Sequence, residues 1–189
     1  MADYDLEAFI ADCGAAALRA TAPADAVLAI MPLMERLVGG ARDFLKPKHC
    51  REDSAHYARN AIHIDKAGGL SLYALVWLPG QWTPVHDHGS WGVVGVIEGA
   101  LEERNYMSLD GEIRGDRGIR LKRGGAILLG AGSITSFVPN PDHIHMTGVS
   151  RARRRTVSLH LYGRNMSAFH IYDVEAGTRR MIDVAHNES

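Results

Sequence analysis

Apolar positions recur along the first third of the chain at three- and four-residue spacings. In residues 5–21, Leu6, Phe9, Ile10, Cys13, Ala17 and Leu18 form the stripe of an amphipathic helix, which Thr21 and Pro23 then punctuate. A second stretch, ADAVLAIMPLMERLVGGARDFL, repeats the pattern at Leu28, Met31, Met34, Leu37 and Val38. Pro32 marks a kink or a fresh start, and Gly39 and Gly40 weaken the end. Neither stripe carries a polar cluster, so both helices are expected to pack on a larger body. From position 55 the period falls to two. HYARNAIHI, LSLYALVWL, WGVVGVIEG, ALEERNYMSL, IRLKRGGAILL, IHMTGVS, TVSLHLYG and SAFHIYDV are short, rich in β-formers and divided by Gly, Pro, Asp and Asn. They predict a sandwich or rolled antiparallel barrel whose interior suits a small ligand. LDGE at 109–112 reads as a hairpin turn, RGG at 123–125 as punctuation before AILL, and the basic RARRR at 151–155 as a solvated hairpin loop. The tail after Asp173 reads as peripheral.

Composition narrows the function classes. The 189 residues fit one domain with a helical annex. Twenty-one basic and 22 acidic residues nearly cancel, so nothing global points to nucleic acid or a phospholipid surface. No stretch approaches a membrane span or a signal peptide, and two cysteines are too few for a disulfide framework. The expectation is a cytoplasmic protein, a monomer or small homo-oligomer, without nucleic-acid or membrane partners. Ten histidines are numerous for this length, and their positions decide what they mean.

His86 and His88 stand in PVHDHG, two residues apart. On an extended strand their imidazoles share a face, with Pro84 setting an extended entry and Gly89 letting the chain turn away. A third nitrogen has to come from elsewhere: His143 or His145 in DHIHM, or His160 in SLHLY. A single alternating pair is common and uninformative, whereas two on separate strands favour a metal site.

The stretch GQWTPVHDH, with Gly99 beyond it, resembles the first motif of the cupin superfamily, but Gly92 stands where the usual glutamate ligand falls. A cupin lacking that acid is similar to the cysteine dioxygenase type I family of thiol dioxygenases. TVSLHLY resembles that family's strand of alternating serine, histidine and tyrosine, and YARN its strand with a carboxylate-binding arginine. The likeness covers about residues 50–175. It implies a mainly β fold, a cupin double-stranded β-helix or jelly-roll barrel at 49–175, under an N-terminal α-helical cap at 1–48 and followed by a tail at 176–189. It implies Fe(II) held by His86, His88 and His145, with His143 spare. Ser158, His160 and Tyr162 become a hydrogen-bonded relay, and Arg59 with Tyr57 a substrate pocket. The partners implied are O2 and a small carboxylated thiol, L-cysteine first because of Arg59, with 3-mercaptopropionate or mercaptosuccinate next.

Departures from the pattern matter too. Animal members carry a cysteine that joins covalently to the tyrosine, and Gly92 stands there, so Tyr162 is expected to stay an ordinary phenol. Relatives acting on 3-mercaptopropionate commonly have glutamine in place of Arg59 and an arginine after the YG dipeptide, for which Arg164 is the nearby cation. The plainer roles are also expectations: Arg59 as a surface strand charge, and His160 as a core histidine satisfied by a carbonyl. Trp77, Trp82 and Trp91 read as packing and pocket wall, Tyr73 and Met107 as further wall candidates, and His49, His56, His63, His170 and His186 as structural or surface residues. Rival functions are a non-catalytic metal-binding cupin sensor or store, and a metal-dependent hydrolase or isomerase, for which no carboxylate is evident near the histidines.

Overall fold

The computed structural model describes residues 4–139 and 143–188; the first residue of the DHIHM stretch and both extreme ends lie outside them. Two helices, α1 (Leu6–Arg19) and α2 (Pro23–Gly39), lead into a single turn, α3 (Ala41–Phe44). Eleven strands follow: β1 (Ala58–Ile64), β2 (Ser71–Trp77), β3 (Val85–His86), β4 (Gly92–Glu98), β5 (Ala100–Ser108), β6 (Leu121–Gly130), β7 (Ile134–Phe137), β8 (Ile144–Gly148), β9 (Thr156–Tyr162), β10 (Ala168–Asp173) and β11 (Thr178–Asp183). They form two antiparallel sheets, ordered β1-β2-β9-β4-β7 and β11-β10-β3-β8-β5-β6. The sheets face one another without closing: among the described residues no ladder joins their edges, so the expected jelly-roll barrel is an open two-sheet roll.

Alternation along β2, β4 and β9 divides two cores. Leu72, Ala74, Val93, Leu159 and Leu161 point outward under the helices, where they meet Phe9, Cys13, Ile30, Met34 and Leu37. Tyr73, Leu75, Trp77, Val94, Val96 and Tyr162 point inward between the sheets. These strands are therefore buried on both faces, and each large helix residue seated on them contributes roughly 1.5–3 kcal/mol. The Asp5 side chain caps α1 by accepting from the Ala8 N–H. Pro32 lies inside a continuous α2 instead of restarting it.

Other local expectations shift. Arg123–Gly125 do not precede the strand but sit within β6, opposite a register irregularity at Arg104–Tyr106, as glycines at a bulge do. Residues 151–155 link β8 of one sheet to β9 of the other, so they form no hairpin; Arg155 pairs there with Glu52 and Glu98. Met107 is 54% exposed and does not line the cavity at the histidines. The tail is not peripheral: residues 178–183 form β11 against β10, and Asn187 bonds backbone to backbone with Arg59 and Ala61 on β1.

Candidate metal centre

The three histidines meet where β3 crosses the middle of the second sheet. His86 lies directly opposite His145 on β8 and Ile171 on β10. His88 follows β3, just before the turn at Gly89, whose φ of 55° favours a residue without a Cβ. Asp87, between them, points away and accepts from the Tyr172 hydroxyl at 2.8 Å and the His170 backbone N–H at 3.2 Å. Its other side-chain contact, with His170 Nδ1, is also 3.2 Å. This clamp ties the His-Asp-His strand to β10, giving His170 the structural role expected of it. Arg164 braces the same segment by donating twice to the His88 carbonyl, at 3.1 and 2.9 Å, and once to that of Ala168.

One donor nitrogen from each of His86, His88 and His145 lies within 4.8 Å of the others, and all three residues are at most 5% exposed. Burial lowers the pKa values of His86 and His145 to about 3 and that of His88 well below its usual value, so all three rings are neutral donors at pH 7. His86 Nδ1 meets the Pro84 carbonyl at 3.0 Å, and His145 Nδ1 lies 3.3 Å from Glu103. Each ring thus keeps Nε2 available. His88 Nδ1 is buried without a hydrogen-bond partner, an orphaned ring nitrogen that a bound ion would engage. The donor set fits a first-row divalent metal.

Beside it runs a relay on β9. Ser158, His160 and Tyr162 alternate on the inner face. Trp77 Nε1–H donates to Ser158 Oγ at 2.9 Å. Ser158 Oγ is 2.8 Å from His160 Nε2, and His160 Nδ1 is 3.4 Å from the Tyr162 hydroxyl. The indole can only donate, so Ser158 accepts from it; with the serine proton on Nε2, His160 would carry Nδ1–H toward the phenol oxygen and leave the Tyr162 O–H for the cavity. His160 is therefore satisfied by a serine instead of a backbone carbonyl, and burial lowers its pKa to about 3. Burial pushes the Tyr162 phenol up, so it stays protonated at any working pH. Trp77, expected as packing and pocket wall, lines the cavity, stacks on Tyr57 at 4.6 Å and donates into the relay.

Arg59 is not a surface charge. It is 8% exposed, donates to the Met166 carbonyl at 2.8 Å and to that of Ala185 at 3.5 Å, and lies 4.6 Å over the Tyr73 ring. Tyr73 therefore supports the arginine from below. Tyr57, Arg59, Trp77, the three histidines, His160 and Tyr162 line one cavity of about 20 Å³, with space for about one water. Tyr57 and Arg59 also wall a neighbouring cavity of about 450 Å³ between residues 51–59 and 183–187. Arg164 lines a different one, of about 220 Å³, beyond His88.

A model of the cysteine dioxygenase type I family matches residues 17–175. The chain belongs to that family. This cysteine dioxygenase type I member is also similar to two solved structures. One is an uncharacterized protein with a double-stranded β-helix domain from Klebsiella pneumoniae, with 18% identity over 69% of this chain and 96% of that one and a TM-score of 0.47. The other is a cupin-like protein from Thermotoga maritima, with 17% identity over 75% and 89% and a TM-score of 0.43. Membership implies a metal-dependent dioxygenase, and the His86-His88-His145 cluster is where this family member would hold its ion.

Sequence reasoning missed Glu103. It is 5% exposed, and with His143 and His145 it makes a second cluster of possible ligands. A carboxylate does stand near the histidines, therefore, but it does not line the cavity. Burial raises its pKa. The available signal was alternation from buried Leu101, which places residues 103 and 105 on one face.

Proposed function

We propose that the protein is a non-haem Fe(II) thiol dioxygenase that oxidises a small carboxylated thiol to its sulfinate, with L-cysteine the preferred substrate. The observation that carries this is one small cavity walled by three neutral imidazoles, a protonated phenol and a buried guanidinium. Iron held by His86, His88 and His145 supplies open positions for a thiolate and dioxygen and the redox chemistry that places both oxygen atoms on sulfur. Neutral ligands leave the ion's charge uncompensated, which favours the thiolate over the thiol. Arg59 pairs with the substrate carboxylate through its planar fork, which lysine does not reproduce. Tyr162 donates its O–H into the cavity while Ser158 and His160 hold its direction, so the protein manages a proton without an ionised base. Met166 and Phe169 line the same cavity and exclude water.

Arg59 favours cysteine, and 3-mercaptopropionate or mercaptosuccinate offers the same carboxylate and sulfur. A purely binding cupin would have no need of a phenol oriented by three linked groups. A hydrolase or isomerase would need a base facing the cavity, and Glu103 faces His145 instead.

The test loads the protein anaerobically with Fe(II), admits O2, and follows oxygen uptake and sulfinate by NMR with L-cysteine, 3-mercaptopropionate, mercaptosuccinate and cysteamine. One sulfinate per O2 from the carboxylated thiols, fastest for cysteine and slow for cysteamine, is expected. Turnover of a mercapto acid alone would reassign the substrate, and no sulfinate from any thiol would overturn the proposal.

A further inference from the structure

We propose that Glu103 is a positioning residue for the metal centre: its carboxylate lies against His145 Nδ1, favours that ring with Nε2 toward the ion, and supplies just behind the ligand the negative charge that the ligand set lacks. This rests on the reading that His86, His88 and His145 hold the metal.

The placement comes from strand register. On β5, Glu103 lies opposite Thr147 and Asn105 opposite His145, so the side chains at 103, 105, 145 and 147 share one face of the β5–β8 ladder. Glu103 Oε2 is 3.3 Å from His145 Nδ1, with both side chains at most 6% exposed. Two other groups crowd that nitrogen, His143 Nε2 at 3.1 Å and Thr147 Oγ1 at 3.4 Å. Those two meet the nitrogen in hydrogen-bond geometry, and Glu103 lies beside them as the ring's ion-pair neighbour, acting through charge. Arg104, the cation next in sequence, pairs with Glu102 on the other face. The titratable groups that face Glu103 are His145, His143 and His86. A buried acid so poorly compensated is costly. A dication beyond His145 would offset that cost, which couples Glu103 to metal occupancy.

Removing such a partner typically costs 10- to 100-fold in metal affinity. The experiment titrates the apo protein with Co(II) alone, in competition with a chelator, and records the Co(II) visible spectrum and the apo unfolding midpoint. Glu103→Gln, which keeps shape and drops charge, is expected to weaken Co(II) binding roughly 10- to 100-fold, with an altered spectrum and no lower apo midpoint. Should the glutamine variant not fold, Glu103→Asp replaces it: a loss of about tenfold or more supports the role, and none overturns it. Unchanged affinity in Glu103→Gln, or a loss matched by apo destabilisation, would overturn the proposal. So would a second equivalent of Co(II) in the wild type that His143→Ala removes while the first remains, since Glu103 would then belong to a cation site of its own. His88→Ala separates the two readings: full Co(II) affinity there would remove the three-histidine site itself, whereas its loss beside an unaffected Glu103→Gln would sink only the role of Glu103.

Discussion

Gly92 on β4 lies directly across the ladder from Tyr162 on β9, and the Phe137 ring fills the space that a side chain at position 92 would need. A Cβ there would come within 2.8–2.9 Å of both ring Cε atoms, too close without displacing an aromatic that stacks on His88 at 4.4 Å. The absent cysteine is thus built into the packing as well as the sequence. Gly92→Cys should lower stability by about 1–3 kcal/mol, as overpacked cores do. Intact mass after aerobic turnover should show no loss of two hydrogens; a cross-linked variant of wild-type stability would show that the space exists.

In the proposed function, Arg59 carries the preference for carboxylated thiols. Arg59→Gln should raise KM for L-cysteine roughly 10- to 150-fold, from a charge-assisted pair of about 1.5–3 kcal/mol, while Fe(II) content stays at the wild-type level. Arg59→Lys should recover little, since an ammonium lacks the fork. Equal loss of iron and substrate use in Arg59→Gln would mean that the arginine is structural.

Much of the fold was legible because the long strands announce themselves. TVSLHLY shows the paired chemistry directly, since Ser158, His160 and Tyr162 sit at i, i+2 and i+4 of one strand. LYALVW is apolar almost throughout because α1 and α2 cover the far side of β2. β3 was legible only as the extended entry that Pro84 sets before His86, while β7 and β11, whose TRRMID is mostly polar, were not legible. The site's remainder depends on long-range register. Alternation from Leu101 separates Glu102, paired outward with Arg104, from inward Glu103, but nothing local shows that Glu103 meets His145. Nor does the sequence show that the Trp77 indole ends 2.9 Å from Ser158, 81 residues away.

The Trp77–Ser158 bond orients the hydroxyl that meets His160, so Trp77→Phe should act on chemistry while leaving the stack on Tyr57 in place. Without the indole N–H, Ser158 is free to turn, and His160 can exchange its ring proton between nitrogens. A roughly tenfold fall in kcat is expected from the loss of about 1.4 kcal/mol of orientation, with KM little changed and the pH profile of kcat shifted. Tyr162→Phe should cost more, because it removes the donor itself. Wild-type kcat and pH profile in Trp77→Phe would reduce the indole to packing.

Acid should unfold the apo protein through these same histidines. His86, His143, His145 and His160 have folded pKa values lowered to about 3, against an ordinary value near 6.5. Between those values the unfolded chain binds more protons than the native one, so stability is full above pH 6.5 and drains as pH falls toward 3. Each neutral ring contributes on the order of 1 kcal/mol per pH unit in that window. Urea midpoints of the apo protein should therefore drop steeply from pH 7 to pH 5, and His160→Gln should flatten the slope. A midpoint independent of pH over that range would show that these rings are wetter than their burial indicates.

Entry to the cavity depends on which Arg59 contact gives way. A volume of about 20 Å³ does not hold a mercapto acid, so something moves before substrate binds. The donation to Met166 is short and the guanidinium rests on Tyr73, whereas the bond to the Ala185 carbonyl is 3.5 Å long. Ala185 belongs to the segment that walls the adjoining 450 Å³ cavity. The carbonyl at 185 is thus the contact a substrate carboxylate displaces most easily. A chain ending at Val184 should lose about 1–3 kcal/mol of stability, since Asn187 no longer bonds to Arg59 and Ala61 on β1. It should nevertheless show a lower KM for L-cysteine, with Arg59 still held by Met166 and Tyr73. Steady-state kinetics below the shortened chain's unfolding temperature checks this: a higher KM would mean that the segment aligns Arg59 instead of covering it.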